Sequence, residues 1–204
     1  MLTGIDLQYF KCFELLKLPL TPLTLPTGAN ASGKSSIIQA LALLHQTMRE
    51  HEWSARLMLN GAVVRLGTVV DVIDKVYGRH SCEIALQDYT AHYRWEFTGK
   101  PDEMSMEVKH VGVSGIEVFE EEDPKKLHHL LPESAPQNAH ILINCLLGLT
   151  YLTPERLGPR EYYPLEDPQL APVVGPRGEH TVSVLYSGSS NSGTPIKIFL
   201  VPRK

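Results

Sequence analysis

The chain has 204 residues, of which 43% are hydrophobic and 21% charged, and its net charge is −4. This composition excludes an intrinsically disordered chain and a polybasic nucleic-acid tail, and at roughly 150 residues per domain the length allows one domain or one domain plus an appendage. Leu2 to Phe10 alternates loosely between apolar and polar residues and predicts a strand, and Phe13 to Leu20 a second one, with Pro19 marking an edge or an end. Leu23-Thr24-Leu25-Pro26 reads as a short apolar strand running into Gly28. Lys34 to Arg49 is the best helix: Ile37, Leu41, Leu44 and Met48 share one face, Ile38, Ala42 and His45 widen it, and no Gly or Pro interrupts it. Asn60-Gly61, between Leu57–Leu59 and Ala62–Leu66, is a hairpin turn signal. Val69 to Val76 reads as a short helix. Ser81–Gln87, His92–Phe97, Ser105–Gly112 and Ile116–Phe119 predict an antiparallel meander. Glu120 to Asp123 is expected as a solvated loop, Pro124–Leu131 and Ala139–Leu147 as helices, and Gly148–Thr153 as a strand. Prolines at 154, 159, 164, 168, 172 and 176 exclude a long element across that stretch, and Ser187–Gly193 reads as flexible.

The acidity is local. Residues 101–133 carry nine acids and three bases, a net −6, which leaves the remainder of the chain at +2. The cysteines, Cys12, Cys82 and Cys145, are far apart and lack C-x-x-C spacing, a pattern of buried thiols in a reducing compartment. The N-terminus has no basic region followed by an apolar stretch, and Ile141 to Leu152 is too short to span a bilayer, so a cytoplasmic protein without a membrane partner is expected.

One motif carries chemistry. Gly28-Ala29-Asn30-Ala31-Ser32-Gly33-Lys34-Ser35 fits G-x-x-x-x-G-K-[ST], with Ser36 continuing it. Glycines let the backbone curl so that successive N–H groups converge on phosphate oxygens. Lys34 brings a positive charge to the β- and γ-phosphates. The Ser35 hydroxyl suits Mg²⁺, which takes oxygen ligands, and the helix that follows directs its positive end at the same anion. The pattern points to ATP and Mg²⁺ held by residues 28–36.

Together with the strand leading into Tyr9-Phe10-Lys11-Cys12-Phe13, and with Ile37-Ile38-Gln39-Ala40-Leu41 after the loop, this segment resembles the ABC-type ATPase heads of the SMC, RecF and OLD-nuclease group. Leu59-Asn60-Gly61 with Val64–Gly67, Tyr151–Arg160 and Val174–Glu179 are similar to bacterial AAA-family ATPases of the phage-defence branch. The resemblance implies an α/β fold: the N-terminal lobe of a P-loop NTPase head, with a mixed core sheet and an antiparallel β subdomain. Residues 1–186 would be a partial head, with a P-loop core at 1–56, an antiparallel region and acidic loop at 57–131, and a return to the core with a Pro-rich segment at 132–186. Residues 187–204 would be an atypical tail. It implies a homodimer or a partner chain supplying the C-terminal half, with DNA as a family partner. The family's Walker B strand and signature motif have no counterpart here: Val69-Val70-Asp71 is too short, Ile84–Asp88 is interrupted by Gln87, and Ser187–Ser190 runs toward Pro195 where a helix is required.

Three readings follow: an ATPase head that hydrolyses only with a partner, a nucleotide-binding module without turnover that acts through partner contacts, and a truncated or frameshifted ATPase fragment. Catalytic residues are not assigned. Arg156, Arg160 and Arg177 are read as pairing with Glu155, Glu161 and Glu179 rather than with phosphate. His128, His129 and His140 have no carboxylate or Cys at ligand spacing and read as a solvated helix face, while His45 reads as an edge-of-core residue.

Overall fold

The computed structural model describes residues 1–73, 79–115, 118–136, 138–155, 158, 162–165 and 174–192. Two compact units divide the chain, Met1–Leu149 and Thr150–Lys204.

The first unit is built on one seven-stranded sheet whose every pairing is antiparallel: β1 (Leu2–Phe10), β2 (Phe13–Pro19), β3 (Arg56–Met58), β4 (Ser81–Asp88), β5 (Ala91–Thr98), β6 (Ser105–Gly115) and β7 (Val118–Glu122). The strand order is β2-β1-β4-β5-β6-β3, and β7 pairs with the C-terminal part of the β6 edge whose N-terminal part takes β3. Alternation decides the two faces. Ile5, Leu7, Ile84, Leu86, Tyr93, Trp95, Phe97, Val111 and Val113 are buried on one side through the registers Ile5↔Leu86, Ile84↔Trp95 and Trp95↔Val111. Asp6, Glu83, Arg94 and Glu120 lie on the other, where Arg94 approaches Glu83 at 4.0 Å and Glu120 at 3.7 Å.

Helix α1 (Lys34–Glu50) is buried at every position from Ala42 to Met48, so it is enclosed around its circumference rather than along the single predicted stripe. The polar members of that stretch, His45, Gln46 and Thr47, are all bonded. Gln46 Nε2 donates to the Met58 carbonyl (2.9 Å), Gln46 Oε1 accepts from Val64 N–H (2.9 Å), and Thr47 Oγ1 accepts from Met58 N–H (3.0 Å). His45 Nδ1 lies 2.7 Å from the Leu146 carbonyl of α2 (Ala139–Leu147), which makes it a fully buried tie between helices. Buried polar groups are tolerated when satisfied in this way.

The α/β P-loop NTPase fold expected from the resemblance is overturned. Such folds rest on a parallel sheet reached by helical crossovers, whereas this sheet is antiparallel throughout. The strand that should deliver the chain to the loop does not form: Leu23–Leu25 is irregular, and Leu23 and Leu25 are 75% and 74% exposed. A parallel strand needs neighbours, and none of the described strands pairs with this segment. The expected mixed core sheet with a separate antiparallel β subdomain also fails, because β1 and β2 belong to the same antiparallel sheet as β4–β7.

Smaller corrections follow from local pairing. The Asn60-Gly61 turn forms, but with a single Asn60↔Arg65 bridge, because the strand before it pairs with β6 instead. Val69–Asp71 is one 3-10 turn, and residues 74–76 lie outside the described residues. Glu120–Glu122, expected in a loop, extend β7 against His110–Gly112. Pro124–Leu131 is not a helix but ends in a turn closed by the His128↔Leu131 bridge, and Gly148–Thr153 is not a strand.

In the second unit, the Thr153 N–H donates to the Pro176 carbonyl (2.8 Å), the turn at Gly175–Gly178 uses left-handed glycines (φ 81° and 74°), and helix α3 spans Thr181–Ser192. Of the serine-rich tract read as flexible, residues 187–192 are thus helical, and Gly193 lies outside the described residues. No proline falls between Pro176 and Ser192, and the Ser187 hydroxyl bonds back to the Ser183 carbonyl at 2.9 Å, a local bond that serine makes inside helices.

Candidate functional site

The loop Gly28–Gly33 enters α1 through Gly33, its N-cap, at φ 87°. This left-handed residue packs so tightly on the β1–β2 turn that an added Cβ would sit 2.5 Å from Cys12 Sγ and from Phe13 Cζ. Glycine is therefore required twice, for its dihedral and for its missing side chain. Gly28 (φ 155°) and Ala31 (φ 63°) complete the curl.

The curl surrounds a cavity of about 370 Å³ lined by Lys11, Cys12 and residues 30–36. All the residues singled out from the motif are brought together here: Asn30, Ala31, Ser32, Gly33, Lys34, Ser35 and Ser36 on the wall, with Gly28 and Ala29 behind Lys34. Lys34 Nζ folds onto the loop itself, donating to the carbonyls of Gly28 (2.9 Å) and Ala29 (2.5 Å) and approaching Ser32 Oγ at 3.4 Å. Ser35 is exposed, while Ser36 is buried and its N–H returns to the Gly33 carbonyl. No side chain caps α1, so the first-turn N–H groups of Lys34 and Ser35 face the cavity end of the helix without an intrahelical acceptor.

A second cation reaches this wall. Lys11, itself at φ 54°, hydrogen bonds Gln39 Oε1 at 2.7 Å. Burial holds its amine below the usual lysine range, against the opposing effect of Asp71. An anion entering the cavity would relieve that cost. The Asp71 carboxylate accepts from the Thr68 N–H and hydroxyl, both at 3.1 Å, and so serves the 3-10 turn. No carboxylate lines the cavity among the described residues.

Cys12 is exposed at this wall, contrary to the expectation of a buried thiol, because the β1–β2 turn presents it to the loop. Cys82 is buried as expected, and desolvation pushes its thiol up to about 12. Arg156, Arg160 and Glu161 lie outside the described residues, and Glu179 accepts the Arg177 backbone N–H at 2.8 Å.

Sequence reasoning missed the other polar constellation. Glu52, just past the end of α1, meets His128 and His129, and one ligand atom from each falls within 4.8 Å of the others. No local spacing signals it, because 76 residues separate Glu52 from His128. The expected solvated helix face at 128–129 is a tight turn instead.

No helix among the described residues is long and apolar enough to cross a membrane. No family model matches the chain, and no curated protein is significantly similar to it.

Proposed function

We propose that the Gly28–Ser36 loop binds the phosphates of ATP as its Mg²⁺ complex. The observation that carries this reading is the lysine-bearing curl around an open cavity at the uncapped start of a 17-residue helix. Phosphate oxygens would take the first-turn N–H groups, Lys34 would leave the Gly28 and Ala29 carbonyls for the anion, and Ser35 would ligate Mg²⁺. Lys11 adds charge from the cavity wall.

With no carboxylate on the cavity wall among the described residues, the loop supplies positioning and charge neutralisation but nothing that orients an attacking water, the separate requirement of phosphoryl transfer. Turnover therefore calls for a second copy or a partner polypeptide, and the exposed Leu23–Leu25 segment leading into the loop offers apolar surface for it. A role in DNA maintenance or phage defence rests on the motif resemblance alone.

The test is titration of the purified chain with a fluorescent ATP analogue in Mg²⁺. Loss of the Lys34 charge-assisted bond should weaken binding about 10- to 100-fold in Lys34→Ala. Equal affinity in wild type and Lys34→Ala would remove the site assignment.

A further inference from the structure

We infer that Glu52, His128 and His129 form a binding site for zinc or a similar first-row transition-metal ion. The site does not depend on the nucleotide reading: it lies at the opposite end of α1 from the loop, and a 17-residue helix spans about 25 Å.

The tautomer of His129 carries the case furthest. Its Nδ1 lies 3.0 Å from the Met48 carbonyl, which can only accept, so Nδ1 holds a proton. In the neutral ring, Nε2 then presents a lone pair to Glu52 Oε1 at 4.0 Å. At 4.0 Å no hydrogen bond joins this nitrogen to the carboxylate, which leaves its lone pair available to a cation. A ring N–H anchored on a backbone carbonyl is also how metal-ligating histidines are oriented. His128 completes the set: its Nε2 lies 2.7 Å from the same carboxylate oxygen, and the proton of that hydrogen bond leaves Nε2 when the metal takes its lone pair, as metal binding to histidine releases protons.

The distances suit a small ion. Zinc bonds to nitrogen and oxygen of about 2.0–2.2 Å in a tetrahedron place neighbouring ligand atoms about 3.3 Å apart. The two carboxylate–imidazole separations bracket that value and need to change by about 0.6 Å each, within reach of the 55%-exposed Glu52 side chain. Two imidazoles and one carboxylate favour zinc-like ions over Mg²⁺ or Ca²⁺, which prefer oxygen, and three protein ligands leave a fourth position open to solvent.

The backbone holds the ligands in place beforehand. His129 (φ 49°) and Leu130 (φ 58°) are the two central residues of the turn, both left-handed. The turn is pinned by the His129 N–H on the Glu52 carbonyl (2.7 Å) and by Trp95 Nε1–H on the Leu130 carbonyl (2.8 Å).

Trp53 provides a reporter, since its ring lies 4.4 Å from that of His128, whereas the only other tryptophan, Trp95, is buried in the sheet. The experiment titrates Co²⁺ into the tag-free, chelator-treated chain, following visible absorbance and tryptophan quenching, and then displaces it with Zn²⁺. One equivalent should bind. Ligand removal in Glu52→Gln or His129→Ala should weaken binding about 100-fold, at least the cost of losing an outer-shell partner. The exposed control His80→Ala should leave it unchanged. Glu52→Gln keeps an oxygen acceptor for His128 and a native-like fold, so it remains decisive if His129→Ala unfolds. Unchanged affinity in Glu52→Gln, or no binding of the wild type at one equivalent, would overturn the site.

Discussion

The geometry of the Gly28–Ser36 loop can be tested through stability alone, by replacing Gly33 with alanine. A left-handed backbone costs an L-residue about 1–2 kcal/mol, and Gly33 sits at φ 87°. The new methyl would also meet Cys12 Sγ and Phe13 Cζ at 2.5 Å, and forcing an extra carbon into a packed site costs about 1–3 kcal/mol. The sum, about 2–5 kcal/mol, is a large share of the 5–15 kcal/mol that holds a typical domain folded. With a urea slope of about 2 kcal/mol/M, the middle of the usual range, the unfolding midpoint should fall by about 1–2.5 M. Cys12→Ala in the Gly33→Ala background should recover about 1 kcal/mol, because it removes the sulfur contact while the dihedral cost and the Phe13 contact remain. A Gly33→Ala midpoint within about 0.3 M of wild type would refute both the packing of the loop on the β1–β2 turn and the left-handed cap.

Three further outcomes are expected. Iodoacetamide, mapped by mass spectrometry, should label Cys12 rapidly and spare buried Cys82, and ATP–Mg²⁺ should protect Cys12, since its thiol lines the loop cavity; labelling of Cys12 unaffected by saturating ATP would count against nucleotide binding there. Asp88→Ala should lose about 1–3 kcal/mol at pH 7 in a urea melt, because Asp88 Oδ1 accepts from Thr90 N–H (2.7 Å), the Thr90 hydroxyl (2.7 Å) and Ala91 N–H (2.9 Å). Burial opposes ionisation of this carboxyl, but those hydrogen bonds outweigh it and hold the group below its usual range, so its contribution is complete above pH ~4 and is lost as pH falls further; the two midpoints should then converge in acid. Trp95→Phe should cost about 1–3 kcal/mol in a thermal melt by leaving the buried Leu130 carbonyl without its donor, and an unchanged melting temperature would show that the turn is not held through Trp95.

Local patterns were legible in the sequence wherever the chemistry is local. The period-2 runs of β1, β4, β5 and β6, the 3.6-period run of α1, and the contiguity of Gly28–Ser36 required no knowledge of distant partners. A loop motif folds by its own glycines and the helix behind it, so the sequence located its residues together. The sheet's topology was not contained in those patterns. Leu23–Leu25 has the composition of a strand yet stays unpaired, because strand formation depends on a neighbour's edge rather than on intrinsic preference. Glu120–Glu122 has the composition of a loop yet extends β7, because β6 offers that edge.

The sequence by itself therefore determined the Gly28–Ser36 loop, its helix and the alternating strands. The tertiary structure alone decided that these strands form one antiparallel sheet, that Cys12 opens onto the loop, and that Glu52 meets a histidine turn 76 residues away. The physical reason is common to all three: hydrogen-bonding and packing partners remote in the chain leave no periodic trace in the segments they will join.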